Sequence, residues 1–239
     1  MEKETTIDNF FNGKLKIIQP TQGFRAGSDA VLLSAVANSC SGKVLDVGCG
    51  VATASLCFSY NNAKAKITSI DIQDGLLELA KKNIKENSFE NIDIKKVDIT
   101  SDKPDYQTYN SVITNPPFFK DGHGVKSPNA IKQTANTGEI DLKQWIDFCF
   151  LSLKDKGDFT IIFVADRLSE LLFLMHERFG DVEIIPLYPR LGQDAKRVIV
   201  KAKKNTKGVT KLTSGIILHK EDGSSNIEEI LREGARFSV

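Results

Sequence analysis

The sequence lacks the features that mark membrane-spanning, repeat and strongly charged proteins. No stretch approaches 18 uninterrupted apolar residues, and the first ten residues, MEKETTIDNF, contain no apolar segment like that of a signal peptide. Lysine and arginine (32) nearly balance aspartate and glutamate (31) over 239 residues, so net charge favours no particular partner. Internal repeats and low-complexity tracts are also missing. We therefore expect a soluble, cytoplasmic protein with no membrane partner.

The cysteines lack the spacing of a metal site. The chain has four of them, Cys40, Cys49, Cys57 and Cys149, without a CxxC pair and without neighbouring histidines. This pattern favours reduced, mostly buried thiols over a zinc site or disulfides. We expect no bound metal.

What the sequence does contain is an alternation of apolar runs and helical stripes from residue 43 to about residue 178. The runs predicted as strands are KVLDVG (43–48), AKITSID (65–71), IDIKKVD (92–98), YNSVITN (109–115) and FTIIFV (159–164). Alternation of this kind predicts an α/β fold with a doubly wound, mostly parallel sheet. Two later runs, 181–188 and 196–203, have no helix between them and predict an antiparallel addition at one edge.

Shorter elements flank this core. A hairpin over residues 5–20, turning at Asn12–Gly13, and a helix over 28–38 are predicted ahead of it. A strand around 215–219 and a helix around 226–233 are predicted near the end. We divide the chain into an N-terminal cap, 1–40, and a main domain, 41–239.

Candidate ligand-binding residues follow the first three core strands. LDVGCGVAT places Asp46, Gly48 and Gly50 around the first turn, where glycines allow a tight turn and close approach to a ligand. Asp71 ends the second strand, 21 residues after Gly50, where a carboxylate can accept from ribose hydroxyls. Asp98 ends the third strand and has the chemistry to accept from an adenine amine. Acids at successive strand ends predict a nucleoside-containing cofactor.

The fourth core strand ends in ITNPPFF. Two prolines in succession end the strand pairing and stiffen the exit from the sheet. Asn115 offers a side-chain carbonyl and Pro116 a backbone carbonyl, and together these two acceptors would hold both hydrogens of a planar amine. Phe118 would stack on an extruded base. Positive charge that develops on the amine would be stabilised by these oriented dipoles, without a metal or a strong base.

The succession of GxG, strand-end acids and NPPF resembles the class I methyltransferases that use S-adenosylmethionine. NPPF narrows the resemblance to enzymes that methylate exocyclic or amide nitrogens. The segments 13–35 and 217–235 are similar to the two ends of the bacterial tRNA adenine-N6 methyltransferases that act on a valine tRNA beside its anticodon. This resemblance implies a Rossmann-like, seven-stranded sheet with an antiparallel edge strand. It also implies a tRNA substrate, and we favour a monomer.

The resemblance also nominates residues of the cofactor site. In this family the segment 23–29 closes over the methionine end of the cofactor, which adds three residues to those above. The full predicted set is Arg25, Gly27, Asp29, Asp46, Gly48, Gly50, Asp71, Ile72, Asp98, Ile99 and Asn115. The predicted catalytic set is Asn115, Pro116, Pro117 and Phe118. The chain departs from the family at Ala52, where a third glycine is common, and in KQTANTGEIDLKQW, which lacks an arginine–histidine pair.

A basic run is the candidate RNA surface. Residues 196–211 contain no acid. The predicted phosphate contacts are Lys196, Arg197, Lys201, Lys203 and Lys204, with Arg190 as a further candidate.

Other functions stay open at this point. Glutamine methyltransferases of peptide release factors also use NPP with an aromatic, but they carry a helical domain ahead of the core, where this chain has about 40 residues. An rRNA guanine-N2 methyltransferase would use the same motif. An NAD-dependent oxidoreductase is disfavoured, because Thr53 replaces the third glycine of GxGxxG. A non-catalytic RNA-binding protein with this fold is the alternative from another functional class.

Overall fold

The computed structural model describes residues 4–23, 25–117, 141–219 and 227–237. Its strands are β1 (Thr5–Phe10), β2 (Leu15–Pro20), β3 (Lys43–Val47), β4 (Lys66–Asp71), β5 (Ile92–Lys96), β6 (Tyr109–Thr114), β7 (Leu153–Val164), β8 (Phe179–Arg190), β9 (Arg197–Lys204), β10 (Lys211–Leu212) and β11 (Ile216–His219). Its α-helices are α1 (Ser28–Val36), α2 (Thr53–Asn61), α3 (Asp74–Glu86), α4 (Leu142–Ser152), α5 (Leu168–Met175) and α6 (Glu228–Glu233). A short 3₁₀ turn, Ala165–Arg167, leads into α5.

One nine-stranded sheet organises the described residues. Its order is β10-β8-β9-β7-β6-β3-β4-β5, with β11 pairing β8 beside β10. All neighbouring pairs are parallel except those made by β9. The predicted α/β class with a mostly parallel sheet is confirmed.

The antiparallel strand is not at the edge, where we predicted it. β9 lies between β7 and β8, and the sheet has nine described strands rather than seven. Burial explains the position, because Val198, Ile199 and Val200 are buried in succession, as a strand covered on both faces requires. β8 is thereby left outside, where the short β10 and β11 add to it in parallel.

Two hydrophobic clusters cover the two faces of the sheet. One contains residues of α1, α2, the hairpin and α6, including Phe11, Leu33, Phe58 and Ile230. The other lies under α4 and α5 and includes Trp145, Phe159 and Leu171. No helix in the described part of the chain is long and apolar enough to cross a membrane.

The predicted hairpin β1–β2 forms and joins the first cluster. Its turn places Phe11, Asn12 and Gly13 at positive φ, and the Phe11 side chain is buried against the ring of Tyr60, 5.2 Å between centroids. Lys14 reaches Glu233 of α6 at 2.8 Å. The division into 1–40 and 41–239 stays a prediction, and the two parts share this core.

Candidate active site

Three of the predicted site residues lie side by side at the carboxyl edge of the sheet. Val47 at the end of β3 is in register with Ile70 of β4 on one side and with Thr114 of β6 on the other. The next residues along each strand are therefore neighbours: Asp71, Gly48 and Asn115. Because adjacent strands lie about 4.8 Å apart, the acid and the amide are roughly 10 Å apart, with the glycine loop between them.

In the glycine loop, residues 48–52, every second residue has a positive φ. Gly48, Gly50 and Ala52 have φ of 73°, 56° and 65°. The backbone N–H groups of Gly48 and Cys49 both donate to the Ile70 carbonyl at 2.9 Å, which ties the loop to β4. Ala52 holds a conformation that suits glycine and that costs an L-residue about 1 kcal/mol, which explains why a third glycine is common there.

Asp71 anchors the same loop through its carboxylate. Its Oδ2 accepts from the Gly50 N–H at 3.0 Å and its Oδ1 accepts from the Gln73 N–H at 2.9 Å. Burial raises the pKa of this carboxyl above its usual value, while these N–H donors act against the rise. A carboxylate has about four acceptor positions, so capacity remains for a hydroxyl donor of a ligand.

Asp46 supports the loop from inside. Its side chain is buried, and its Oδ2 accepts from Ser55 Oγ of α2 at 2.6 Å, which in turn lies 2.7 Å from Ser69 Oγ of β4. Burial raises the pKa of Asp46 to about 7, with a further rise from the charge of Asp71. The buried carboxylate thus joins β3 to α2, and a role of Asp46 in cofactor binding stays a prediction.

Asp98 lies beyond β5, two residues after Lys96, which is in register with Asp71. Its Oδ1 accepts from the Thr100 hydroxyl at 2.6 Å and from the Thr100 N–H at 2.9 Å, and these bonds lower the pKa of the Asp98 carboxyl. Ile72 and Ile99 are half-buried at the same edge. The cofactor contacts of these three residues stay predictions.

The residue directly before the NPP element is held by a side chain that was not among the predicted site residues. Trp145 Nε1 of α4 donates to Thr114 Oγ1 at 2.9 Å, and Thr114 Oγ1 donates to the Val47 carbonyl at 2.8 Å. The Trp145 ring also packs on Gly48, where an added Cβ would lie 2.7 Å from it. One tryptophan thus contacts the glycine loop and the residue before Asn115. Local periodicity marks Trp145 only as a core position.

The residues after Thr114 differ in exposure. Asn115 is half-buried, Pro116 is buried and Pro117 is exposed. Phe118 lies outside the described residues, so its predicted stacking role stays a prediction. The arrangement brings a side-chain amide and a rigid proline carbonyl to the same edge as the glycine loop.

The N-terminal candidates are engaged with the hairpin and with β9. Arg25 pairs with Asp8 at 2.6 Å and donates to the Pro20 carbonyl. Asp29 of α1 pairs with Arg197 at 3.3 Å. Gly27 is the N-cap residue of α1. Contacts of these three predicted residues with a cofactor stay predictions.

The basic run does not form one surface. Lys204 is buried, donates to the Leu153 carbonyl at 2.7 Å and lies 4.4 Å from the centre of the Phe150 ring, which contradicts its predicted RNA contact. Burial lowers the pKa of this lysine. Lys201 pairs with Glu183 at 3.3 Å. Lys203 is in backbone register with Asp158 in the middle of β7, and it lies about 20 Å along β9 from Arg197. Within the described ranges, no group of three or more His, Cys, Asp or Glu side chains is placed to hold a metal ion.

Strand order, glycine loop and strand-end acid define the class I methyltransferase architecture. The family of methyltransferase small domains matches residues 21–187, and the chain belongs to that family. The fold agrees with solved structures. A crystal structure of a predicted O-methyltransferase, Atu636 from Agrobacterium tumefaciens, superposes with a TM-score of 0.72 at 21% identity, covering 88% of this chain and 99% of that one. TYW2 of M. jannaschii, solved in complex with AdoMet, has a TM-score of 0.56 at 15% identity and covers 85% of this chain and 87% of that one.

Sequence relatives include two classes of RNA methyltransferase. A tRNA1(Val) (adenine(37)-N6)-methyltransferase of a Flavobacteriaceae bacterium (strain 3519-10) is 28% identical over 80% of this chain and 82% of its own length. Ribosomal RNA small subunit methyltransferase C of Haemophilus influenzae (strain 86-028NP) is 30% identical, but the match covers 65% of this chain and only 42% of that protein. The predicted resemblance to the tRNA enzymes is confirmed at this level of similarity.

Proposed function

We propose that this protein transfers a methyl group from S-adenosylmethionine to the N6 amine of an adenosine in tRNA, at position 37 as in the names of its relatives. The observation that carries the proposal is the row of Asp71, the glycine loop and Asn115 at one edge of the sheet. This row sets a nucleoside-binding acid and a pair of amine acceptors on opposite sides of one backbone loop. A tRNA substrate also supports a cytoplasmic location.

The described residues fit the cofactor. An added Cβ at Gly50 would meet no atom within 4 Å, so the backbone there is open to close approach. Asp71, whose carboxylate accepts from the Gly50 N–H, borders this opening and has acceptor capacity left for a ligand. S-adenosylmethionine, when bound, supplies an electrophilic methyl group.

Asn115 and Pro116 bind the target amine. Their two carbonyl oxygens accept the two amine hydrogens, which draws the nitrogen lone pair out of conjugation and aims it. These dipoles also stabilise the positive charge that develops on the nitrogen, an effect worth roughly 3 kcal/mol for one contact at comparable sites. The Thr114 hydroxyl is hydrogen-bonded to both the Val47 carbonyl and the Trp145 indole. These bonds hold the backbone directly before Asn115, the first of the two acceptors.

Adenosine in tRNA is supported by the extent of the similarity. Three relatives that carry the tRNA1(Val) name are matched over 82%, 75% and 87% of their own lengths. The ribosomal RNA methyltransferase is matched over less than half of its length. The NPPF motif suits both the adenine N6 amine and the guanine N2 amine. The longer match to the tRNA enzymes therefore favours adenine.

The test is an assay with labelled S-adenosylmethionine and unmodified total tRNA, followed by mass spectrometry of the nucleosides. We expect N6-methyladenosine in a single tRNA. Small ribosomal subunits and a whole-cell protein extract are assayed in parallel. Methylated guanosine in rRNA, or label in protein, would contradict the proposal.

We also propose a smaller RNA surface than the predicted basic run. Arg190 at the end of β8 and Lys196 before β9 are both exposed at the carboxyl edge, beside the candidate active site. Lys203 is exposed near the opposite edge and serves as the matched control. Replacing Arg190 and Lys196 with glutamine should weaken tRNA binding and reduce its log–log salt slope by about 2. Lys203→Gln should leave both unchanged, and an equal effect of the two sets would refute this smaller surface.

A further inference from the structure

A buried asparagine connects three separate segments beneath the glycine loop. Asn83 of α3 is fully buried, with all its hydrogen-bonding groups in use. Its Oδ1 accepts from the Ile18 N–H of β2 at 2.7 Å, and its Nδ2 donates to the Ile18 carbonyl at 3.0 Å. The same Nδ2 donates to the Val51 carbonyl at 3.0 Å. The side chain thus joins the hairpin, α3 and the loop.

A second asparagine makes the same pair of hydrogen bonds to β2, without the bond to the loop. Asn87 follows Asn83 by one helical turn, and its amide makes the same pair of bonds with Lys16: the Lys16 N–H donates to Oδ1 at 2.8 Å, and Nδ2 donates to the Lys16 carbonyl at 2.7 Å. Alternate residues of β2 therefore pair with Asn83 of α3 and with Asn87, the C-cap residue of this helix, since the two spacings are similar. The Asn87 Nδ2 also donates to the Asn83 carbonyl at 2.8 Å, and it makes no hydrogen bond to the glycine loop within the described residues.

The bond to Val51 adds a second side-chain anchor to the loop, beside that of Asp71. Gly50 donates its N–H to Asp71, and the next residue, Val51, accepts from Asn83 through its carbonyl. The first bond holds the Cys49–Gly50 peptide group and the second holds the Val51–Ala52 peptide group. The backbone on either side of the Gly50–Val51 link is therefore oriented by these two side chains.

We propose that Asn83 is a positioning residue for the cofactor, acting through the Val51 carbonyl, and that Asn87 attaches the hairpin to the end of α3 without acting on the loop. Asn83 also makes the hairpin part of the cofactor site, because Ile18 and Val51 share one amide. The inference rests on the proposed function in one respect, that the glycine loop binds S-adenosylmethionine.

The two asparagines provide a matched pair of variants. Asn83→Ala and Asn87→Ala each remove one bidentate attachment of β2, so both should lower the melting temperature by several degrees. Only Asn83→Ala should raise the Kd for S-adenosylmethionine in calorimetry, by about tenfold. It should also raise the KM for this cofactor while kcat at saturation stays within twofold. Equal changes in Kd for both variants, or no change for Asn83→Ala, would overturn the inference.

A second readout does not need the cofactor. Hydrogen exchange of the amides of residues 49–53 in the ligand-free protein should accelerate in Asn83→Ala and stay at the wild-type rate in Asn87→Ala. Wild-type protein that binds no S-adenosylmethionine would contradict the proposed function. If hydrogen exchange of residues 49–53 still differs between the two variants in that case, the positioning of the loop by Asn83 is supported all the same. If Asn83→Ala does not fold, Asn83→Asp replaces it. This variant keeps an oxygen that accepts from the Ile18 N–H and loses the Nδ2 that donates to the Ile18 and Val51 carbonyls. Wild-type exchange in that variant contradicts the inference.

Discussion

The two sides of the glycine loop are built differently. On the cofactor side, the loop is held by the Ile70 carbonyl, by Asp71 and by Asn83, so its backbone direction is fixed before any ligand arrives. On the target side, the fixed point is one hydroxyl, Thr114 Oγ1, and the reactive amide follows it directly. We therefore expect cofactor affinity and methyl transfer to depend on different residues, so that substitutions separate the two.

The largest separation is expected from Asn115→Ala. Loss of one of the two amine acceptors should lower kcat by about 100- to 1000-fold, because this contact forms with the charge of the transition state. The Kd for S-adenosylmethionine should stay within threefold of wild type. Single-turnover transfer and calorimetry measure the two quantities. A large loss of cofactor affinity with unchanged kcat would reverse our assignment of the two sides.

The opposite result is expected from Asp71→Ala. This change removes the acceptor for the Gly50 N–H and the acceptor positions left for a ligand, so the Kd for S-adenosylmethionine should rise by about 100-fold. Asp74 is the control, since it is an exposed acid three residues away that pairs with Lys96. Calorimetry should show wild-type affinity for Asp74→Ala. Similar losses in both variants would indicate a general effect of charge.

A smaller effect, on stability and on the target side, is expected from Trp145→Phe. The phenyl ring cannot donate to Thr114 and fills less space over Gly48, so the free energy of unfolding should fall by about 1–2 kcal/mol. We expect kcat to fall several-fold with little change in Kd. Thr114→Ser keeps the hydroxyl and should retain activity. Urea unfolding and steady-state rates test this, and unchanged rates in Trp145→Phe would show that Asn115 is positioned without it.

The last effect, expected from Asp46, is on stability and depends on pH. Its pKa is raised in the folded protein from 3.8 to about 7, so the folded state binds more protons than the unfolded state between these values. Stability from this group is therefore complete below about pH 4 and is lost as the pH rises towards 7, at about 1 kcal/mol per pH unit. Asp46→Asn should remove this part of the slope in urea unfolding at pH 5, 6, 7 and 8. Parallel slopes for the two proteins would contradict the assignment.

Most of the fold was predictable because its signals are local. The runs at 43–48, 65–71 and 109–115 became β3, β4 and β6 with their ends within one residue. The position of β9 within the sheet was not predictable, because the order of strands depends on which faces become buried in three dimensions. Lys204 shows the same limit, since the Leu153 carbonyl and the Phe150 ring that accommodate it come from some 50 residues away in the chain.

The candidate site shows a similar division. Asp71, the glycines and Asn115 were predictable, since chemistry at strand ends follows from the sheet topology alone. Thr114, Trp145 and Asn83 were not, since their roles arise from hydrogen bonds between segments that are distant in sequence. An asparagine on a helix such as α3 looks like a surface residue until the partner strand is known.

Trp145 gives the site an optical reporter. It is the only tryptophan in the chain, and its indole ring lies against Gly48 while its N–H is bonded next to Asn115. Its ultraviolet emission depends on the polarity and hydration around that ring. A ligand that fills the space beside the glycine loop should therefore change the intrinsic fluorescence of the unlabelled protein, so that occupancy can be followed on the millisecond scale in a stopped-flow instrument.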